Sequence, residues 1–406
     1  MMADAVHETP VLPRRFRGAP ERNARIARPL GLVAGVRRPD PALLDELGRR
    51  MLARDEPAAA LVAAMNRDRG DPERVTVRQL GSALEHGIGA VDGAPEALRR
   101  FVAAVEDTPA WVDMDLVERG ARTMRRLGRT RDDVLLTLSL IGGYRYGGPP
   151  DLLVETGGLS GTAAIRRLAE TQTWALAIGR PGGLRRDGEG FRLTVHVRVM
   201  HALVNDRFER NGRWDAARWG LPINRTDLAS TLGLFNSTLL LGARLLGRVV
   251  TPEESRAVMH AWRYVGWLMG VDEDWLFTTE REQNAFNFHV LHAQGDVTPA
   301  GPALAGALVD GERDRLGGWR GRWERRRLLA LLRWFLRSDG LRDLDLPRVP
   351  VWTLAPTIAR NAVESALVAR VPAGRRWLER RGDRGAERLL ESRLAGTPRS
   401  VAALPT

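Results

Sequence analysis

The sequence predicts an all-α protein organised as a single large helical domain. Three observations carry that expectation. From Pro41 onward, apolar residues recur with a helical period nearly everywhere. Helix start and stop signals punctuate the middle of the chain. No internal repeat or low-complexity linker divides the 406 residues, a length sufficient for one large core or two ordinary ones.

Residues 1–40 are rich in Arg and Pro and lack periodicity, which predicts a poorly ordered N-terminal arm. Pro41-Ala42-Leu43-Leu44-Asp45-Glu46-Leu47 opens the first helix and Pro57 starts a second. Pro95 to Val105 and Asp115 to Leu127 follow. Asn224 caps a helix with Asp227 at its third position, expected to run through Leu232, Phe235 and Leu239 to Gly247. Thr251-Pro252-Glu253-Glu254 combines an N-cap, a proline at the first helical position and a capping-box glutamate. That helix carries Val258, Trp262, Val265 and Met269 on one face and stops at Gly270. Leu328 to Leu336 and Pro356 to Val371 read as two more. The expected organisation is a helical domain over 41–340 and a C-terminal helical extension, 341–406, packed on it.

One segment supports two readings. Phe191, Leu193, Val195, Val197 and Val199 alternate with Arg192, Thr194, His196 and Arg198, as in a strand. A helix would instead align Leu193, Val197, Met200, Val204 and Phe208 and close at Asn211-Gly212. The alternation ends at Met200, and the longer helical stripe is the better fit.

Composition narrows the chemistry. The chain has no cysteine, and all 62 of its Lys-plus-Arg residues are arginine. Thiolate nucleophiles, zinc ribbons, iron–sulfur clusters and thiolate-ligated haem are excluded. So are Schiff-base enzymes and the P-loop lysine. The net charge of +12 comes from arginines spread along the chain, in the manner of a GC-rich coding bias. No arginine run is interleaved with aromatics, so the sequence points away from nucleic acid. Arg14-Arg15-Phe16-Arg17 is followed by only a short apolar stretch, Pro29 to Val36, with Arg37 and Arg38 behind it. An export signal needs a longer apolar region, and Leu228 to Ala243 is too polar to span a bilayer. A soluble, cytoplasmic protein without stable membrane insertion is expected.

Chemistry therefore falls to histidine, carboxylates, arginine or a bound cofactor. His7 and His86 lie in unremarkable places, and His196 and His260 read as surface or packed residues. His289 and His292 share a helix face, but neither HExxH nor Glu-x-x-His occurs. His201 differs. On the helical reading it borders the apolar stripe beside Val197 and Val204, with Arg198 one turn before and Asn205 one turn after. An imidazole emerging from an apolar face with a guanidinium on the same side suits an axial haem ligand. A buried, hydrogen-bonded structural histidine is the commoner use of such a residue, and residue physics alone leaves both open.

Arg198-Val199-Met200-His201-Ala202-Leu203-Val204 resembles the Arg-x-x-His-Ala core of the latex clearing protein and MpaB-type oxygenase family. Four further blocks resemble that family in order. They are Gly148-Pro149 through Glu155-Thr156-Gly157, Arg167-Leu168-Ala169-Glu170-Thr171, Trp219-Gly220-Leu221-Pro222-Ile223-Asn224 with Asp227 and Thr231, and Trp262-Arg263 through Gly270. The resemblance covers roughly residues 130 to 310. It implies a globin-like all-α core holding haem b, with His201 as proximal iron ligand and Arg198 nearby. Arg167 and Thr171 would line the haem pocket. It also favours helix for the ambiguous segment. Rubber-cleaving members use haem and dioxygen to split a carbon–carbon double bond, with a distal carboxylate as base. Asp151 and Glu155 lie in the corresponding region.

Two departures stand out. Asn205-Asp206 replace more basic residues of the rubber-cleaving branch, and Glu170 stands where some members carry a lysine able to reach the iron. These bear on polyisoprene as substrate, not on the haem. The expected function is a haem b-dependent oxygenase using dioxygen on a small apolar, unsaturated molecule. A non-catalytic haem sensor or carrier, and a helical binding protein without haem, remain alternatives.

Overall fold

The computed structural model describes residues 11–157, 161–399 and 401, and every regular element among them is helical. Helix Pro252–Leu268 lies near the centre and runs along helix Met114–Leu127. Its capping box forms as the sequence predicts. Thr251 Oγ1 accepts from the Glu254 N–H at 3.2 Å, and the Glu254 carboxylate accepts from the Thr251 N–H at 3.0 Å. Val258, Trp262, Val265 and Leu268 are buried.

The ambiguous segment is helical throughout, from Glu189 to Asn211, and ends at a left-handed Gly212. The strand-like alternation has a physical cause. Phe191, Val195, Val199 and Ala202 pack into the core, while Val197, Met200 and Val204 line an internal cavity. Apolar residues on two faces of one helix imitate a period of two.

The stretch expected as one helix from Asn224 to Gly247 is two, Arg225–Phe235 and Ser237–Leu245. Asn236 breaks it. Its backbone leaves the helical region (φ −104°, ψ −93°), its Oδ1 accepts from the Ser237 N–H, and its buried amide donates to Gln283 Oε1 at 2.8 Å. Asparagine competes for backbone groups in this way, so it ends helices readily. The expected 356–371 helix likewise divides, into Ala355–Val363 and a wider π-type stretch, Glu364–Val368. The long helix Gly318–Asp343 breaks at Arg337 (φ 60°, ψ −171°).

The segment expected as a poorly ordered arm, 1–40, is folded from residue 11 onward; residues 1–10 lie outside the described part. Helix Pro20–Ala34 packs along helix Glu280–Ala293. Its buried residues are Asn23, Ala27, Gly31 and Ala34, too small and polar to register as apolar periodicity. Asn23 donates to the Gln294 carbonyl at 2.8 Å, and the buried Arg15 pairs with Asp227 at 2.5 Å. The C-terminal helix Pro372–Leu394 lies against helices Met114–Leu127 and Gly161–Gly179. Arg393 fastens it, reaching Glu312 and Gln172 at 2.7 Å each.

Candidate functional site

These helices enclose a cavity of about 1360 Å³, larger than the roughly 300–1,000 Å³ usual for small-ligand pockets. Helices Gly161–Gly179, Glu189–Asn211, Arg225–Phe235, Pro252–Leu268 and Glu280–Ala293 supply the walls, with the π-type turn Leu135–Ile141. Trp174, Phe235 and Trp262 form an aromatic cluster on one wall, with centroids 5.0–5.9 Å apart. The indole N–H of Trp174 is satisfied by Thr194 Oγ1 at 3.0 Å, so the ring is fixed.

His201 borders this cavity and also a smaller one of about 190 Å³ behind it. Nδ1 is sealed from solvent and makes no hydrogen bond. Burial disfavours the imidazolium, and Asp55 opposes this only weakly, so the pKa is pushed down to about 4. The ring is neutral at physiological pH, the form in which imidazole ligates metals.

Arg198 is placed away from the large cavity, facing the small one. Its guanidinium grips Asp55 with Nε–Oδ2 at 2.5 Å and Nη2–Oδ1 at 3.0 Å, and both side chains are nearly covered. Asp55 precedes helix Glu56–Met65 but does not cap it. Gly270 makes room for the pair. A Cβ there would fall 2.6 Å from Asp55 Oδ2 and 2.7 Å from Arg198 Nε, and its φ of +84° also favours glycine. Asn205 locks the next turn, donating to the Ile223 carbonyl and accepting from its N–H, both at 2.8 Å.

Arg167 and Thr171 do share the large cavity with His201. Arg167 donates to the Thr156 carbonyl and hydroxyl at 2.8 and 2.9 Å and pairs with no carboxylate among the described residues. Thr171 Oγ1 donates back to the Arg167 carbonyl at 3.1 Å. The structure does not bring Asp151 and Glu155 to this cavity. Asp151 accepts from the Gly148 N–H at 2.9 Å and from Thr298 Oγ1 at 3.0 Å, which uses its carboxylate as a helix cap. Glu155 pairs with Arg213 at 3.0 Å on the surface. Among the carboxylates that line the cavity is Glu170, paired with the exposed Arg166 at 3.3 Å.

The buried His289 and the half-buried His260 are occupied. His289 Nε2 accepts from the Asp40 N–H, and Nδ1 donates to the Ala285 carbonyl. His260 Nε2 accepts from the Asp113 N–H. Among the described residues no three His, Asp or Glu side chains converge as a metal site.

A sequence model of the family described as "ER-bound oxygenase mpaB/B'/Rubber oxygenase, catalytic domain" matches residues 132–371. The chain belongs to this family. It is 24% identical to the rubber oxygenase of Streptomyces sp. (strain K30) over 273 residues, 63% of this chain and 62% of that protein. It therefore spans less than two thirds of that relative's length. The solved structure of latex clearing protein LCP in the closed state matches with a TM-score of 0.56 at 21% identity. That match covers 83% of this chain and 91% of the other, and it establishes the fold of the mpaB/rubber oxygenase family here. No described helix is long and apolar enough to cross a membrane.

The low pKa of His201 makes a stability prediction for the cofactor-free chain. The folded value, about 4, lies below the ordinary 6.5. Between these values the unfolded chain binds the extra proton, so stability is present above pH 6.5 and lost as pH falls toward 4. The loss at about pH 4.5 is on the order of 2–3 kcal/mol. Urea midpoints at pH 7 and 4.5 should fall less for His201→Gln than for the unchanged chain. Equal falls would show that the imidazole is not desolvated.

Proposed function

We propose that the large cavity holds a haem b and that the chain is a haem-dependent oxygenase acting on a small apolar, unsaturated substrate with dioxygen. The observation that carries this reading is the neutral His201 imidazole, its Nδ1 sealed, at the wall of a large and mostly apolar chamber. With one imidazole and no converging set of protein ligands, the site suits a metal that brings its own macrocycle. Trp174, Phe235 and Trp262 offer flat apolar surface to a planar group. Arg167, without a carboxylate partner, offers a charge to a carboxylate tail.

In this reading His201 would hold the iron, and Arg198 would act as a positioning residue behind it. The haem supplies the redox chemistry that activates dioxygen. The chain's own residues do the rest. Apolar walls exclude water and hold the substrate by burial. Arg167 braces the end of helix Pro149–Glu155 through Thr156, and Thr171 bonds back onto its own helix. Glu170 takes a proton from an allylic carbon of the substrate at its carboxylate oxygen. Asp151 would serve as base only by releasing the Gly148 cap.

The test is reconstitution of the full chain with haem, followed by oxygen uptake on unsaturated lipids or terpenoids. Glu170→Gln should lower turnover by about 10²–10⁴-fold with the Soret band unchanged, while Asp151→Asn should lower it less. A Soret band with no oxygen uptake on any substrate, insensitive to both changes, would favour the non-catalytic haem protein. No Soret band after haem addition would remove the reading altogether.

A further inference from the structure

The outer face of helix Pro20–Ala34 is not absorbed by the oxygenase reading. Ala24, Arg25, Arg28, Pro29, Leu32 and Val33 lie exposed along it at helical spacing, with Leu32 77% and Val33 55% exposed. The helix cannot roll to hide them. Gly31 sits flush against the core, where a Cβ would fall 2.8 Å from the Phe288 ring, and Asn23 is tied to the Gln294 carbonyl on the same inner side.

This face stands at a mouth of the large cavity. Arg25, Pro29 and Val33 are exposed on the outer face and also line it, as residues at an opening do. Leu245, 46% exposed, and Arg337 line it too, and Trp334 donates its indole N–H to the Leu245 carbonyl at 3.2 Å. Charge at the rim is one-sided. Arg25, Arg28 and Arg337 make no ion pair among the described residues. The rim's acids are engaged, Asp339 with Arg342 at 3.0 Å and Asp343 with Arg22 and Arg145 at 2.8 and 2.6 Å. Glu21 is the acid left at the far end of the helix, and Arg37 and Arg38 extend the positive charge beyond the near end.

We propose that helix Pro20–Ala34 and the adjoining cavity mouth dock on an anionic lipid bilayer, from which the cavity draws its apolar substrate. Leu32 and Val33 enter the headgroup boundary, and the unpaired arginines meet lipid phosphates. A bilayer fits better than an acidic protein because the apolar residues ring an opening into an apolar chamber rather than a closed patch. The docking itself needs no haem; only the substrate's passage rests on the oxygenase reading.

Flotation of the full chain with vesicles tests docking without any activity measurement. Vesicles of phosphatidylcholine with about a third phosphatidylglycerol should capture the protein at low salt, and pure phosphatidylcholine should not. Arg25→Glu with Arg28→Glu should lower capture by roughly tenfold or more, and Leu32→Ser with Val33→Ser by several-fold. Arg78→Glu, on an exposed site of a helix that adds nothing to the cavity, should leave it unchanged. All these positions are exposed, so the fold survives the changes. Capture that follows net charge alone, with Arg78→Glu costing about half of what the paired change costs on a logarithmic scale, overturns the proposal. So does capture indifferent to Leu32 and Val33, or a dimer in solution that dissociates with the same variants. A failed Soret band with intact flotation would overturn the haem reading and leave docking standing.

Discussion

Replacing His201 by alanine is expected to abolish the Soret band of the haem-reconstituted chain while leaving the cofactor-free fold nearly unchanged. The two halves have separate causes. Partners that merely orient a ligand contribute 10–100-fold to metal affinity, so loss of the ligand itself should weaken binding by more than about 100-fold. The fold, by contrast, gains little from this imidazole. Nδ1 has no partner to leave stranded, and the side chain borders a cavity already of about 1360 Å³. Truncation there removes contacts on one side only, so the cost stays at the low end of core deletions, about 1–2 kcal/mol. Free imidazole should refill the space and restore a band. Haem titration followed by absorption, alongside urea unfolding of the cofactor-free variant, measures both halves. An unchanged Soret band in His201→Ala would place the iron elsewhere. A collapsed fold would make His201 a structural residue.

How far the sequence led can be judged at particular residues. The all-α class, the Thr251 capping box and the position of His201 on an apolar helix face were legible because each is a local pattern. The break at Asn236 was not, because it depends on Gln283 across the fold. Helix Pro20–Ala34 escaped for a related reason. Its anchors are Asn23 and Gly31, which carry no apolar period, and prolines at 20 and 29 argue against a helix when tertiary contacts are unseen. At the site, Arg167, Thr171 and His201 line one cavity. Asp151 does not reach it, because a short helix needs a cap at Gly148. Arg198 faces the other way, because Asp55 waits there from 143 residues away.

The arginines hold the larger lesson. Their distribution along the chain reads as coding bias, with two set aside for a site. In the fold many are paired, several of them with buried acids. Arg327 and Arg129 bracket Asp133 and Glu324, and Arg393 and Arg315 converge on Glu312. A planar guanidinium satisfies two acids at once, which suits such buried clusters. Pairing across the fold is a long-range property, invisible in a list of residues.

Removing the Asp55 carboxylate should be the most damaging single change near the site. Asp55→Ala leaves the Arg198 guanidinium nearly covered, with one weak contact to the Leu268 carbonyl at 3.4 Å and the face of Phe101 at 5.6 Å from the ring centre. Stranding one partner of a buried pair costs about 3–5 kcal/mol, more than the intact pair contributes. Asp55→Asn keeps an acceptor and should cost less. The double change Asp55→Ala with Arg198→Met removes both charges and should recover most of the loss. The effect should also reach His201, three residues along the same helix. If the pair fixes the orientation of that helix, Asp55→Asn should shift the Soret maximum or weaken haem binding by about 10–100-fold while the chain stays folded. Chemical denaturation of the three variants, with haem titration of the folded ones, supplies the measurement. A double variant no more stable than Asp55→Ala would mean that Asp55 acts through something other than the Arg198 charge. Haem affinity and spectrum unmoved in Asp55→Asn would reduce the pair to a brace for the fold with no influence on the imidazole.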